Sequence, residues 1–254
     1  MEDLLKKFSL EGKNALVVCP ENLYGREIVA GLIEAGANVW LASSADSFED
    51  LELAGCFPYE HGCPEVAKEL EEKVRLQIGT LDIVIENGLH TQMSGWSQTY
   101  EQIYGQLEKT HLGMMLTVQS LGHILVEQGH GSVILVADYG ALVGYDVHNY
   151  GDCQMQKERD FSLLKGFIGG GVVNYARQAS NYLAEHGCRC NAIAFGAMEG
   201  ACEDSFKENF IRHSQVKRLL TPQDITGAIT FLASDASAFI TGITLPVDGG
   251  YTAK

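Results

Sequence analysis

Short apolar runs alternate with amphipathic segments along most of this chain. Runs at residues 15–19 and 38–42 flank a segment at 25–35 whose apolar residues recur with helical spacing and which closes on Gly36. These two strands must be parallel, because a helix between neighbouring strands is the connection that a parallel pair requires. The same pattern predicts strands at 81–85, 132–137, 189–194 and 243–247, and helices at 64–77, 100–128 with a break at Gly105, 172–185 and 221–234.

The repeated alternation predicts an α/β fold with one doubly wound parallel sheet, Rossmann-like, and helices on both faces. A length of 254 residues suits one such domain, spanning residues 1–254, and is enough to bury a large core. Two segments interrupt the alternation. Residues 145–161 form a polar insert, and residues 199–220 form a charged segment that we expect to be helical.

Charge and composition exclude several kinds of partner and site. The net charge of −15 leaves no basic face for nucleic acid or for anionic lipid. No stretch reaches the ~18 apolar residues of a membrane span, and the charged first seven residues predict no signal peptide. The seven cysteines include no Cys-x-x-Cys pair. We therefore expect reduced thiols, no metal site and a cytoplasmic protein.

The final third of the chain carries the most specific motifs. Thr221-Pro-Gln-Asp-Ile, Phe231-Leu-Ala-Ser-Asp and Val247-Asp-Gly-Gly250 occur in this order. In these motifs and their spacing the chain resembles the short-chain dehydrogenase/reductase family, from about Leu10 to Tyr251. The resemblance implies a dinucleotide-binding oxidoreductase fold, and it places a substrate lid at residues 199–220. That segment could equally be a solvated or partner-facing helix.

The resemblance fails first at the cofactor loop. The family's Thr-Gly-x-x-x-Gly-x-Gly loop, whose bare backbone approaches the pyrophosphate, aligns with residues 18–25, and only the last glycine remains. In this loop Pro20 lacks an amide donor and Glu21 adds a negative charge. Leu23 and Tyr24 add side-chain bulk where the family has bare backbone. The ribose-binding acid aligns with a serine, and the Asn-Asn-Ala-Gly motif keeps one asparagine. We predict that this chain binds no dinucleotide through the vestigial positions Cys19, Pro20, Glu21, Leu23, Tyr24, Gly25, Ser43 and Asn87.

The family's catalytic residues are replaced as well. Its tyrosine aligns with Lys165, its lysine with Gly169, its serine with Asp138 and its asparagine with His111. None of the ten tyrosines has a lysine four residues later. We predict no catalytic residue, an Asp138–Lys165 ion pair that closes the cleft, and a hydrogen-bonded interior role for His111. Tyr150 is the single candidate for a substitute base.

Segments through which family members assemble are retained. Helix 100–128 carries an apolar face (Leu112, Met114, Met115, Val118, Leu121), and Gly169-Gly170-Gly171 would open a helix with bare backbone for another chain. Family members form two-fold symmetric tetramers. Within the family, the chain resembles the non-catalytic subunit of a two-subunit dehydrogenase of anaerobic toluene degradation. That resemblance implies a heterotetramer with an active partner subunit that binds NAD.

Two other functions stay open at this point. The chain could be an active oxidoreductase with an atypical site around Tyr150, His111 or Asp138. It could also be a ligand-sensing module in which the altered cleft binds a nucleotide-like or CoA-like molecule without chemistry. Glu21 and the acidic balance of the chain are unfavourable to phosphate-bearing ligands.

Overall fold

The computed structural model describes residues 2–44, 48–89, 97–150, 163–200 and 204–253. Seven strands form one parallel sheet in the order β3-β2-β1-β4-β5-β6-β7. This confirms the predicted parallel α/β sheet, and the edge strand β3 was the one that periodicity missed. The strands are β1 (Asn14–Val18), β2 (Asn38–Ser43), β3 (Gly55–Pro58), β4 (Ile83–Glu86), β5 (Gly131–Asp138), β6 (Cys188–Phe195) and β7 (Thr244–Val247).

Helices connect the strands and cover both faces of the sheet. They are α1 (Glu2–Lys6), α2 (Gly25–Glu34), α3 (Pro64–Gln77), α4 (Tyr100–Leu107), α5 (Gly113–Gln128), α6 (Leu163–Ala184), α7 (Asp204–His213) and α8 (Pro222–Ala233). A π-helical turn, Glu108–Leu112, joins α4 to α5, so the predicted break at Gly105 was placed too early. Residues 204–213 of the predicted helical segment at 199–220 are indeed a helix.

Two hydrophobic clusters fill the space above and below the sheet. One lies beneath α3, α5 and α6 and includes Leu16, Val84 and Leu135. The other lies beneath α2 and α8 and includes Val17 and Ile134. Alternate residues of β1 and β5 thus enter opposite cores. Burial on both faces explains why these strands are continuous apolar runs and show no alternation.

A third, aromatic cluster lies at the carboxyl edge of the sheet. It joins the 3₁₀ turns Tyr139–Ala141 and Val147–Tyr150 to α7 and to the C-terminal segment through Tyr139, Tyr150, Phe206, Phe210 and Tyr251. Phe210 and Tyr251 stack with ring centroids 4.3 Å apart. The lid-like segment is therefore held down by aromatic packing. Most of the predicted polar insert at 145–161 lies outside the described residues.

The predicted assembly face on α5 divides in two. Met114, Val118 and Leu121 are buried in the core of the same chain, whereas Leu112 and Met115 are 40% and 44% exposed. The prediction of one outward apolar face was therefore wrong, because the helical period sends the two sets in different directions. The exposed apolar area on α5 is therefore smaller than the sequence implied.

The glycine triplet also differs from its prediction. Gly169 and Gly171 lie inside α6, which begins at Leu163, nine residues before the predicted start at 172. A Cβ on Gly169 would lie 3.0 Å from the Cα of Ala141, and one on Gly171 would lie 2.5 Å from the Nε2 of His111. These two glycines therefore make room for neighbours within the same chain rather than for a partner.

The two cysteines of β6 lie in the core. Cys188 and Cys190 are buried in β6, and burial raises the pKa of the Cys190 thiol to about 12. Among the described residues no three His, Cys, Asp or Glu side chains are placed to share a metal ion. No helix in the described ranges has the length and apolarity that a bilayer crossing demands. Cytoplasmic location, and residues 1–254 as one domain, stay predictions.

Candidate functional site at the carboxyl edge of the sheet

The loop after β1 has kept the backbone shape of a tight turn without its glycines. Cys19 and Tyr24 are the two non-glycine residues with positive φ among the described residues, at 53° and 72°. The left-handed region costs a residue with a side chain roughly 1–2 kcal/mol, and a bulky residue there is unusual. A Cβ on Gly25 would lie 2.0 Å from the carbonyl oxygen of Pro20. Gly25 therefore serves a close approach within the chain.

Tyr24 extends from this loop into the crevice above the sheet. Its hydroxyl donates to the carbonyl of Gly196 at 2.9 Å, and its ring lies 4.8 Å from that of Phe195. Gly196 follows β6, and β4 and β5 separate β6 from β1. The side chain of Tyr24, 6% exposed, thus spans the carboxyl ends of two strands. In open α/β sheets this crevice is the ligand-binding region.

Glu21 binds two hydroxyl groups at the neighbouring end of β2. Its two carboxylate oxygens accept hydrogen bonds from Ser43 Oγ at 2.8 Å and Ser44 Oγ at 3.0 Å. Ser43 stands where the family places the acid that binds a ribose. Relative to the family, the acid and the hydroxyl have exchanged places. Here the carboxylate lies in the loop after β1, and the hydroxyls lie at the end of β2.

Asn87 fastens the loop to the end of β4. Its side-chain amide donates to the carbonyls of Cys19 and Leu23, each at 3.2 Å, and its own carbonyl accepts from the side chain of Asn22 at 2.8 Å. These bonds use the amide to hold the loop in place. The one asparagine retained from the family motif thus has a structural role in this chain.

At the other end of the crevice, the predicted ion pair is present, but it lines a cleft of about 300 Å³ and does not close it as predicted. Lys165 Nζ lies 3.6 Å from Asp138 Oδ2, and it also lies 4.6 Å from the centre of the Tyr145 ring. The Tyr145 hydroxyl donates to Asp138, with oxygen–oxygen distances of 2.6 and 2.5 Å, and the amide of Gly140 donates to it at 2.9 Å. Asp138 therefore neutralises Lys165 and accepts hydrogen bonds from two further donors.

Sequence reasoning missed Tyr145 and selected Tyr150 as the substitute base. Tyr150 is 5% exposed and lies in the aromatic cluster, with its ring 5.2 Å from Phe206. Burial raises the pKa of Tyr145 far above its ordinary value, and the charge of Asp138 raises it further. A phenol with a raised pKa that donates to a carboxylate keeps its proton near neutral pH, which makes it a weak base there. The distance from Asp138 in the sequence favoured Tyr150, because the 3₁₀ turns that bring Tyr145 back were not predicted.

His111 and Gly169 occupy the two remaining catalytic positions. The Nε2–H of His111 donates to the carbonyl of Ile168 at 2.9 Å, and its ring meets Phe167 edge to face. This agrees with the interior, hydrogen-bonded role that was predicted. Because the site of Gly169 is crowded by Ala141, the family's lysine would require the backbone to move.

A buried His61–Glu86 pair was also missed. His61 Nε2 lies 2.8 Å from Glu86 Oε1, with side chains 9% and 1% exposed, and its Nδ1 bonds the carbonyl of Lys109. Burial lowers the pKa of His61, but the charge and hydrogen bond of Glu86 outweigh it, so the pKa is raised. Gly88 and Gly113 border the imidazole so closely that a Cβ on either would collide with it. His61 lies beyond β3, the strand that periodicity did not reveal, so no sequence signal paired it with Glu86.

The space left between these groups is a cleft of about 300 Å³. Its walls are mainly apolar, with Asp138 and Lys165 at one end. Lining residues are Leu23, Tyr24, Asn87, Leu89, Val136, Ala137, Asp138, Lys165, Ile168 and Gly169. A volume of this size is at the low end for small-molecule sites.

Comparison with known proteins decides the family. A family model described as enoyl-(acyl carrier protein) reductase matches residues 24–252. The chain belongs to the short-chain dehydrogenase/reductase family. It is 26% identical over 259 residues to L-rhamnose 1-dehydrogenase (NAD(P)(+)) of a Sphingomonas species, covering 95% of this chain and 96% of that one. It is 28% identical over 254 residues to the 3-oxoacyl-[acyl-carrier-protein] reductase FabG of Staphylococcus epidermidis, covering 94% and 98%.

Solved structures agree with this short-chain dehydrogenase/reductase fold. A short-chain dehydrogenase from Leptospira borgpetersenii with bound NAD+ superposes with a TM-score of 0.86 at 20% identity, covering 97% of this chain and 95% of that one. A gluconate 5-dehydrogenase from Burkholderia cenocepacia in complex with NADP and tartrate has a TM-score of 0.83 at 19% identity, covering 98% and 99%. At these identities the likeness concerns the fold alone.

The crevice of this short-chain dehydrogenase/reductase does not fit the dinucleotide that its relatives' names imply. Tyr24 fills part of the crevice, and Glu21 adds negative charge next to the start of α2, where a pyrophosphate would bind. Gly25 is the last remaining glycine of the loop, and it is packed against Pro20. We therefore derive no chemical step through a dinucleotide bound to this chain.

Proposed function

We propose that this chain is a non-catalytic subunit of an NAD-dependent short-chain dehydrogenase complex. The observation that supports it best is the Asp138–Lys165 pair, with the Tyr145 hydroxyl directed at the same carboxylate. In active family members this position needs a phenol that can take up a proton. Here the charges cancel each other, and the phenol is a donor whose pKa is raised.

The complex that we propose pairs this chain with an active subunit of the same fold, which binds NAD and carries out the reaction. The assembly is a heterotetramer in the cytoplasm, without nucleic acid or membrane. Its reaction would be the oxidation of 2-(hydroxy(phenyl)methyl)succinyl-CoA to benzoylsuccinyl-CoA. This substrate comes from the resemblance to the toluene-degradation subunit, and no residue of the cleft selects it.

The test begins with the tagged chain captured from its native extract. Mass spectrometry should find a second short-chain dehydrogenase that carries an intact Tyr-x-x-x-Lys motif. NAD-linked alcohol oxidation by the captured complex should fall about 10²–10⁴-fold when the tyrosine of that partner is changed to phenylalanine. In contrast, Tyr145→Phe in this chain should leave the rate unchanged. A homo-oligomer that reduces NAD by itself would contradict the proposal.

An active oxidoreductase is the second candidate, and the comparisons by themselves favour it. The relatives are named as a dehydrogenase and a reductase, and they match nearly the whole chain. Its site would be built on Tyr145 rather than Tyr150, because Tyr145 is the tyrosine that lies beside Lys165. In that case the isolated chain should turn over a nicotinamide cofactor, and Tyr145→Phe should abolish the activity.

A further inference from the structure

Tyr24 combines three properties that are rarely found together in a loop residue. It is aromatic, it is 6% exposed, and its backbone is left-handed with φ at 72°. A bulky residue persists in that conformation only where the surrounding contacts hold it, and such outliers mark functional positions. Two of the contacts that hold Tyr24, with Phe195 and with the Gly196 carbonyl, lie at the cofactor crevice.

We propose that part of the cofactor crevice of this chain is occupied by its own side chains, with Tyr24 as an internal ligand. The phenol ring packs against Phe195, and its hydroxyl donates to the Gly196 carbonyl at 2.9 Å. An aromatic ring with one outward donor is also what a bound ligand could present to these two residues. The proposal deepens the non-catalytic function proposed above, since it explains how the fold is completed without a cofactor.

Two further side chains bind groups at the carboxyl ends of neighbouring strands. Glu21 accepts the hydroxyl hydrogens of Ser43 and Ser44 at the end of β2. His61 inserts its imidazole between Gly88 and Gly113 and pairs with Glu86 at the end of β4. Side chains from within the chain thus contact the carboxyl ends of β2, β4 and β6, beside the cleft of about 300 Å³.

An internal ligand can be tested by removing it and adding it back. Tyr24→Ala removes the phenol ring together with its hydroxyl and retains the Cβ, so the steric cost of the left-handed backbone is little changed. Loss of a buried aromatic ring should lower the melting temperature by about 6–12 °C. The full-length protein should be used in the oligomer in which it purifies. Tyr100→Ala is the matched control, because Tyr100 is 73% exposed and should show little change.

The added ligand is p-cresol, which is the side chain of tyrosine as a free molecule. At about ten times its dissociation constant it should raise the melting temperature of Tyr24→Ala by about 3–5 °C. Toluene, which has the ring without the donor, should rescue less, and neither should stabilise the wild-type protein. Equal effects of p-cresol on wild type and variant, or no rescue at all, would overturn the proposal.

A second variant covers the case in which Tyr24→Ala does not fold. Tyr24→Phe keeps the ring and removes the donor to Gly196, and it should lower the melting temperature by about 2–4 °C. An unchanged melting temperature would overturn the internal-ligand role. These measurements do not involve turnover, so they can fail while the captured complex still behaves as a non-catalytic subunit with an active partner. Conversely, the captured complex can lack an active partner while the melting temperatures of the Tyr24 variants still change as expected.

Discussion

The two ends of the crevice differ in how their side chains are held. At the loop end, Tyr24 and His61 are buried and fill the volume themselves. At the catalytic end, Asp138 and Lys165 are 23% and 37% exposed and leave open a cleft of about 300 Å³. Buried side chains therefore hold the loop end by packing, whereas the other end carries a partly exposed ion pair beside the cleft.

This difference predicts at which end of the crevice a substitution should lower the free energy of unfolding more. A buried group that loses its partner bears the full cost of desolvation, whereas a half-exposed group can turn to water. Substitutions at the loop end should therefore destabilise the fold more than substitutions at the catalytic end. If both ends prove equally sensitive, the catalytic end is packed as tightly as the cofactor end and the distinction fails.

Glu86→Ala should have the largest effect. Glu86 is 1% exposed and pairs with His61, so its removal leaves an imidazole buried without its carboxylate. Breaking a buried pair in this way costs about 3–5 kcal/mol of unfolding free energy. Urea unfolding would measure it. Glu69→Ala is the control, because the Glu69–Lys73 pair is a 64% and 39% exposed helix-surface contact and should contribute at most about 0.5 kcal/mol.

Asp138→Ala should come next. The change removes the acceptor of the Tyr145 hydroxyl and of the Gly140 amide, and it leaves Lys165 without its counter-charge. We expect a loss of about 1–3 kcal/mol, mostly from the phenol. The double variant with Tyr145→Phe should lose less than the sum of the two single changes. An unaltered melting temperature for Asp138→Ala would remove the basis for a neutralised catalytic end.

The two ends also differ in how far the sequence could reveal them. Alignment with the family placed Asp138 opposite Lys165, because both lie on elements whose register is set by apolar periodicity. The positions of the Tyr24 and Tyr145 side chains could not be predicted in this way. A left-handed turn sets the direction of Tyr24, and two 3₁₀ turns set the position of Tyr145. The sheet was predictable because buried parallel strands are apolar runs. The edge strand β3 has four residues, and apolar and other residues alternate too irregularly in it to predict a strand. Because β3 was not predicted, the position of His61 after it could not be predicted either.

The pH dependence of the free energy of unfolding should reveal the titration of His61 at the loop end. Because the pKa of His61 is raised above its ordinary 6.5, the folded protein binds its proton more tightly than the unfolded chain does. The stabilisation is complete below about pH 6.5 and is lost as the pH rises through the raised pKa. The decrease should be at most about 1.4 kcal/mol per pH unit. Urea unfolding of wild type and His61→Gln between pH 6 and 9 should show this slope in the wild type and a weaker slope in the variant.

The smallest effect is expected for Lys165→Gln. Lys165 is 37% exposed and lies 3.6 Å from Asp138, too far for a direct hydrogen bond, so the pair is a solvent-screened contact. Its removal should cost at most about 1 kcal/mol, because water can solvate the carboxylate and Tyr145 keeps its acceptor. Adding 0.5 M salt should shrink the difference between wild type and variant. A loss as large as that of Asp138→Ala would mean that Lys165 holds Tyr145 through the ring contact at 4.6 Å, and the catalytic end would then depend on packing as the loop end does.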